Sequence, residues 1–227
     1  CMLMTGTSCD DFLDITPPSD VAPENYLVEE SQLAAYTIRY YTDNFSSLNG
    51  QYGDEEMATD NATTRNSNNR YLIGEWKTPA SGGEWDFNKI YTLNYFIQSS
   101  EKNLEAGSIK GNATNIKHYI GEGYFLRAYQ YFYRLRKLGD FPIIKEVLPD
   151  NKEALIEASK RQPRNEVARF ILEDLDKAIN YLTNNPDGGK ARITRNAALV
   201  LKARVALFEA TWEKYHAGTA LVPNGTG

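Results

Sequence analysis

The chain has 227 residues, 41 % apolar and 24 % charged, a balance that supports a packed core in one large domain or two small ones. Its net charge of −5 excludes nucleic acid or a polyanionic membrane surface as the principal partner, because both need a basic footprint. Two cysteines, Cys1 and Cys9, and two histidines, His118 and His216, are too few and too scattered for a disulfide framework, a Cys/His metal site or histidine-based catalysis.

At the N-terminus, Gly6-Thr7-Ser8 places small residues directly before Cys9, as at the end of a bacterial lipoprotein signal peptide. Residues 1–8 therefore read as a signal remnant, and Cys9 as the residue that takes the lipid. The acidic stretch Asp10-Asp11, then Thr16-Pro17-Pro18-Ser19-Asp20, reads as an extended tether over 9–22. Residues 23–227 form the folded part. No apolar run approaches the roughly 18–20 residues that span a bilayer. The chain lacks a starting Met and stops in loop-like sequence after Leu221, so it reads as a piece of a longer protein.

Helical periodicity begins near Glu29, where Leu33, Tyr36 and Tyr40 share one face. Residues 46–83, rich in Asn, Gly, Ser and Thr and containing Trp76 and Pro79, have no sustained period and read as a long functional loop. From Glu84 a stripe of Phe87, Ile90, Tyr91, Asn94 and Ile97 predicts a second helix, broken by Gly107 to Gly111. A long helix is predicted from Asn112 to Leu138, stopped by Gly139-Asp140-Phe141-Pro142. A short helix follows near Lys152–Ser159. Pro163 then opens a helix whose core stripe is Val167, Ile171, Leu175, Ala178, Ile179 and Leu182; Glu173, Asp174 and Asp176 fall to its polar side. Thr194 is the expected cap of a last helix running to about Lys214. No alternating strand pattern is present. Gly121, Gly123, Ala203 and Ala210 are placed to let helices approach closely. The Gly121-x-x-Tyr124 and Ala203-x-x-x-Leu207-x-x-Ala210 patterns resemble tetratricopeptide helices, and the class is all-α.

Several ordered blocks resemble the SusD/RagB family of nutrient-binding lipoproteins. They are Gly121-Glu122-Gly123-Tyr124-Phe125-Leu126-Arg127-Ala128, Leu138-Gly139-Asp140-Phe141-Pro142, Phe170-Ile171-x-x-Asp174-Leu175-x-x-Ala178 and Arg192-Ile193-Thr194-x-x-Ala197-Ala198. The opening Cys9-Asp10-Asp11-Phe12-Leu13-Asp14 and the segment from Trp85 to Asn94 fit as well. The resemblance implies tetratricopeptide-like helix pairs in a right-handed superhelical array with long loops. It implies lipid anchoring on the outer membrane facing the cell exterior, with no catalysis and no cofactor. Its implied partners are an oligosaccharide or peptide ligand and a SusC-like TonB-dependent transporter. Members of the family are longer, and further helices and binding loops lie in their C-terminal part.

For a glycan site, Trp76, Trp85 and Asn88 are the candidates, since aromatic faces stack on sugar C–H groups and amides bond hydroxyls. Trp76 lies among polar neighbours. Trp85 reads either as a ligand-facing ring or as a core residue wedged between helices. The loop from Gln51 to Gly83 and the helix start at Trp85 are expected to form one wall of the site. Arg127 reads either as an anion clamp or as a structural arginine, its stem on tyrosines and its head on helix-end carbonyls; the structural role is expected. A glycoside hydrolase would need two carboxylates facing across a cleft. The clusters Asp54-Glu55-Glu56 with Asp60, and Glu173-Asp174 with Asp176, read instead as solvated acids. An intracellular helical-repeat scaffold is the remaining alternative.

Overall fold

A computed structural model describes residues 26–45, 83 and 85–222. Six α-helices are present among them: α1 (Glu30–Asn44), α2 (Asn88–Glu105), α3 (Ala113–Leu138), α4 (Lys152–Ala158), α5 (Arg164–Tyr181) and α6 (Arg195–His216). A single 3-10 turn, Gly189–Ala191, precedes α6. Pairing between strands is limited, among the described residues, to isolated bridges such as Phe141 with Gln162.

The helix ends follow local chemistry. The Asn112 side chain accepts the Thr114 and Asn115 amides, satisfying orphan N–H groups at the start of α3. The α3 exit needs Gly139, whose φ of +72° carries no Cβ penalty. Asp140 then accepts the backbone N–H of Arg164 (2.9 Å), joining the α3 exit to the α5 start. Thr194 accepts the Ala197 amide and starts α6 as expected.

α3 is the central element. It packs against α1, α2 and α5, and α5 in turn carries α6. Burial runs around its whole circumference from Ile120 to Ala128, the mark of a helix enclosed by others. Gly121 and Gly123 make that enclosure possible. A Cβ on Gly121 would lie 2.9 Å from the Tyr181 Cβ at the end of α5, and one on Gly123 would lie 2.7 Å from the Phe96 ring on α2. The other two small residues do not serve this purpose: Ala203 and Ala210 lie exposed on α6.

Buried polar assemblies fasten the core. Glu122 on α3 accepts hydrogen bonds from Thr37 (2.6 Å) and Tyr41 (2.7 Å) on α1 and from Arg192 (3.1 Å), just ahead of α6. Arg164 at the start of α5 meets Glu209 on α6 through two 2.8 Å bonds, and its guanidinium lies 4.0 Å from the Trp212 ring centre. The predicted stripes are otherwise those observed, with two exceptions. Tyr91 points outward and is 53 % exposed, and Asp174 is buried. The inner face of α6 packs through Ala198, Leu201 and Val205, whereas Leu199, Val200, Ala203, Ala206, Leu207 and Ala210 form an uncovered apolar face.

Candidate functional site

A cleft of about 470 Å³ opens beside the first turns of α2. Phe87 at the N-cap of α2, with Ile90, Tyr91 and Asn94 of α2, forms one side, and Ile144, Glu146, Leu148, Pro149 and Asp150 of the α3–α4 connection form another. Leu155 and Ser159, of α4 and its end, close it.

An aromatic ladder links this cleft to the core. Tyr131 on α3 meets Phe141 edge-on at 5.9 Å, Phe141 stacks on Phe87 at 5.0 Å, and Trp85 meets both Phe87 (5.6 Å) and Phe141 (5.1 Å) edge-on. Phe141 is fully buried, while Trp85 is 44 % exposed. Of the two readings of Trp85, the core wedge is therefore set aside: the ring rests on the core with much of its surface free. Trp85 does not itself line the cleft but contacts Phe87, which does, and the Arg161 guanidinium lies 4.9 Å from its ring centre. Asn88 is exposed on the first turn of α2, its backbone N–H bonded to the Asp86 carboxylate (3.0 Å). Trp76 and nearly all of the loop from Gln51 to Gly83 lie outside the described residues, as do Cys9 and the acids Asp54, Glu55, Glu56 and Asp60.

The wall over residues 144–147 is pinned from beneath. The buried Asn94 amide donates to the carbonyls of Ile144 (2.9 Å) and Glu146 (3.1 Å), and Gln98 accepts the Val147 N–H (3.2 Å). Tyr131 accepts the Ile144 N–H (2.9 Å). Arg127 donates to the Lys145 carbonyl (3.0 Å) and to Asn94 (2.9 Å), and meets Asp174 through two bonds of 2.7 and 2.8 Å. Arg127 is thus structural, as expected, but its head engages a buried carboxylate and the cleft wall, not helix-end carbonyls. Asp174 is not a solvated acid of the polar side. Burial pushes its carboxyl above the usual range, with the Arg127 bonds pulling the other way. Burial also works against the Arg127 charge, but the bonds to Asp174 outweigh it and raise its pKa.

Residues 11–207 match the SusD-like family, described as starch-binding and associating with the outer membrane. The chain belongs to the SusD-like family. SusD-like protein P2 of Formosa agariphila is 28 % identical over 92 % of this chain and 41 % of its own length. A SusD-like protein of Bacteroides ovatus is 26 % identical over 92 % of this chain and 38 % of its own length. The crystal structure of a SusD-like protein from Bacteroides fragilis superposes with a TM-score of 0.59 at 25 % identity, over 85 % of this chain and 37 % of that one. The SusD homologue structure from Bacteroides thetaiotaomicron gives 0.56 at 18 % identity, over 92 % and 43 %. The chain thus spans about two fifths of the length of the relatives it matches. The all-helical, tetratricopeptide-like class is that of its family, and the family's description names starch binding.

Within this SusD-like frame, Arg127 and Asp174 belong to two of the motif blocks that carried the resemblance, and they bond to each other. Sequence reasoning missed that pair and also Tyr91, which it counted among core positions. A signal for the pair was present: Arg127 sits between Leu126 and Ala128 on an apolar helix, and Asp174 lies three residues after Ile171 in the core stripe. Among the described residues no helix is long and apolar enough to cross a membrane, and no cluster of acidic, His or Cys residues is arranged to hold a metal ion.

Proposed function

We propose that this protein is a non-catalytic, glycan-binding lipoprotein, held by lipid on Cys9 at the outer face of the outer membrane. It captures oligosaccharide in the aromatic cleft at the start of α2 and passes it to a SusC-like TonB-dependent transporter. The observation that supports the cleft is the ladder from Tyr131 through Phe141 and Phe87 to Trp85, which ends in a partly bare indole against Phe87, a residue that lines the cleft together with the outward-facing Tyr91. A ring braced by Phe87 and Phe141 and partly open to solvent offers a stacking surface at low entropic cost, and a preformed concavity with few polar groups suits sugar capture. Asn88 is assigned hydroxyl binding and Trp76 stacking on the same ligand. The family description supports carbohydrate as the ligand class.

The test is calorimetric titration of the full-length protein with a panel of oligosaccharides. Trp85→Ala and Tyr91→Ala should each weaken binding about tenfold, the loss of one stacking ring from a small site. Their thermal midpoints should stay close to that of the parent, because both rings are half in solvent. If both variants bind like the parent, the cleft is not the site.

A further inference from the structure

The charge around the aromatic cleft is one-sided. Its lining holds two charged side chains, Glu146 and Asp150, both exposed carboxylates, and no lysine or arginine lines it among the described residues. A second cavity of about 400 Å³ is lined by Lys102, Lys145 and Lys177 together with acids, and Glu146 borders both cavities. Lys145 is paired with Glu173 at 3.7 Å, and Lys160 with Glu157. Arg161 lies over the Trp85 ring, and Lys89 has partners of its own. Among the described residues, the charged side chains that line the cleft are thus both carboxylates.

We propose that this cleft selects its ligand by charge, taking uncharged or amine-bearing sugar units and rejecting uronic-acid and sulfated ones. The inference rests on the reading of the cleft as a glycan site. Ionised carboxylates only accept hydrogen bonds, so Glu146 and Asp150 match the O–H donors of a neutral sugar and, more strongly, an ammonium. Against a carboxylate or sulfate they add like-charge repulsion and leave the ligand's acceptors without donors. The aromatic lining acts in the same sense, since the faces of Phe87 and Tyr91 carry negative potential and attract cationic or C–H edges.

The test keeps linkage and length constant. A neutral hexose glycan that binds the full-length protein is first identified from amylose, laminarin, cello-oligosaccharide, mannan and galactan. It is then converted in part at C6 to the carboxylate and, separately, to the amine. At low salt the carboxylated form should bind about five- to tenfold more weakly than the neutral one, and the aminated form at least as tightly as the neutral one. In the double variant Glu146→Gln, Asp150→Asn, both at exposed positions, the gap between neutral and carboxylated forms should close. Equal binding of the carboxylated and neutral forms by the parent overturns the proposal. So does a gap that persists in the double variant, which would be steric. If acidic glycans bind and no neutral one does, charge selection fails while the glycan reading stands. If no glycan of any charge binds, the glycan reading fails, and the inference with it.

Discussion

Arg127 and Asp174 form a bidentate pair that is almost wholly removed from solvent, and neither could be buried alone. Their geometry leaves one guanidinium nitrogen free to hold Asn94 and the Lys145 carbonyl, so one arginine serves both the core and the cleft wall. Arg127→Met should destabilise the protein by about 3–5 kcal/mol, because it strands the Asp174 carboxylate in the interior. The double variant Arg127→Met, Asp174→Leu should be more stable than either single variant, as chemical denaturation would show, yet should bind glycan more weakly because Asn94 loses its partner. Tyr131 gives a second prediction at this scale. Burial pushes its phenol up to about 12 from an ordinary value of 10.0. A folded-state pKa above the unfolded one means that the stabilisation is complete below pH 10 and is lost as pH rises from 10 to 12. Phenolate absorbance should therefore rise in two stages, exposed tyrosines first and the buried set only as ellipticity collapses. A single early rise for all 15 tyrosines would contradict this.

At the scale of the helix, small residues decide how near two axes come. Gly121→Leu would drive a side chain into Tyr181 and Leu182 at the close of α5, overpacking that contact at a cost of about 1–3 kcal/mol, read as a fall in thermal midpoint. Thr194→Ala removes the α6 cap and should cost about 1 kcal/mol with little change at the cleft. The elements themselves were legible because their signals are local: Asn112 as a helix start, Thr194 as a cap, Gly139 as a stop, and the 3.6-residue stripe of α5. Asp174, Tyr91 and the outer face of α6 were not, because their fate depends on which helix lies opposite, and periodicity reports only which residues share a face. Trp85 was ambiguous for the same reason. A tryptophan ahead of a helix can turn inward or outward, and here Phe141, delivered from the α3 exit, fills the space behind it. The charge of the cleft was hidden as well, since Glu146 and Asp150 come from an aperiodic connection.

For the whole molecule, attachment and assembly are the properties at stake. Cys9→Ala should move the full-length protein from the membrane fraction to the soluble one, and mass spectrometry of the mature parent should find an acylated Cys9 as its first residue. A mature chain that begins with an unmodified residue upstream of Cys9 would refute the anchor, and retention inside the cell would favour the scaffold alternative. The helical body presents a different matter in the test tube. α6 is apolar on both sides, with Val200 69 % and Leu207 67 % exposed on the outer one. A contiguous oily stripe of this kind is expected to draw copies of a purified 227-residue polypeptide together despite its net charge of −5. Sedimentation velocity should show the average mass climbing with concentration, and Val200→Lys with Leu207→Lys should flatten that climb without moving the thermal midpoint by more than a degree or two.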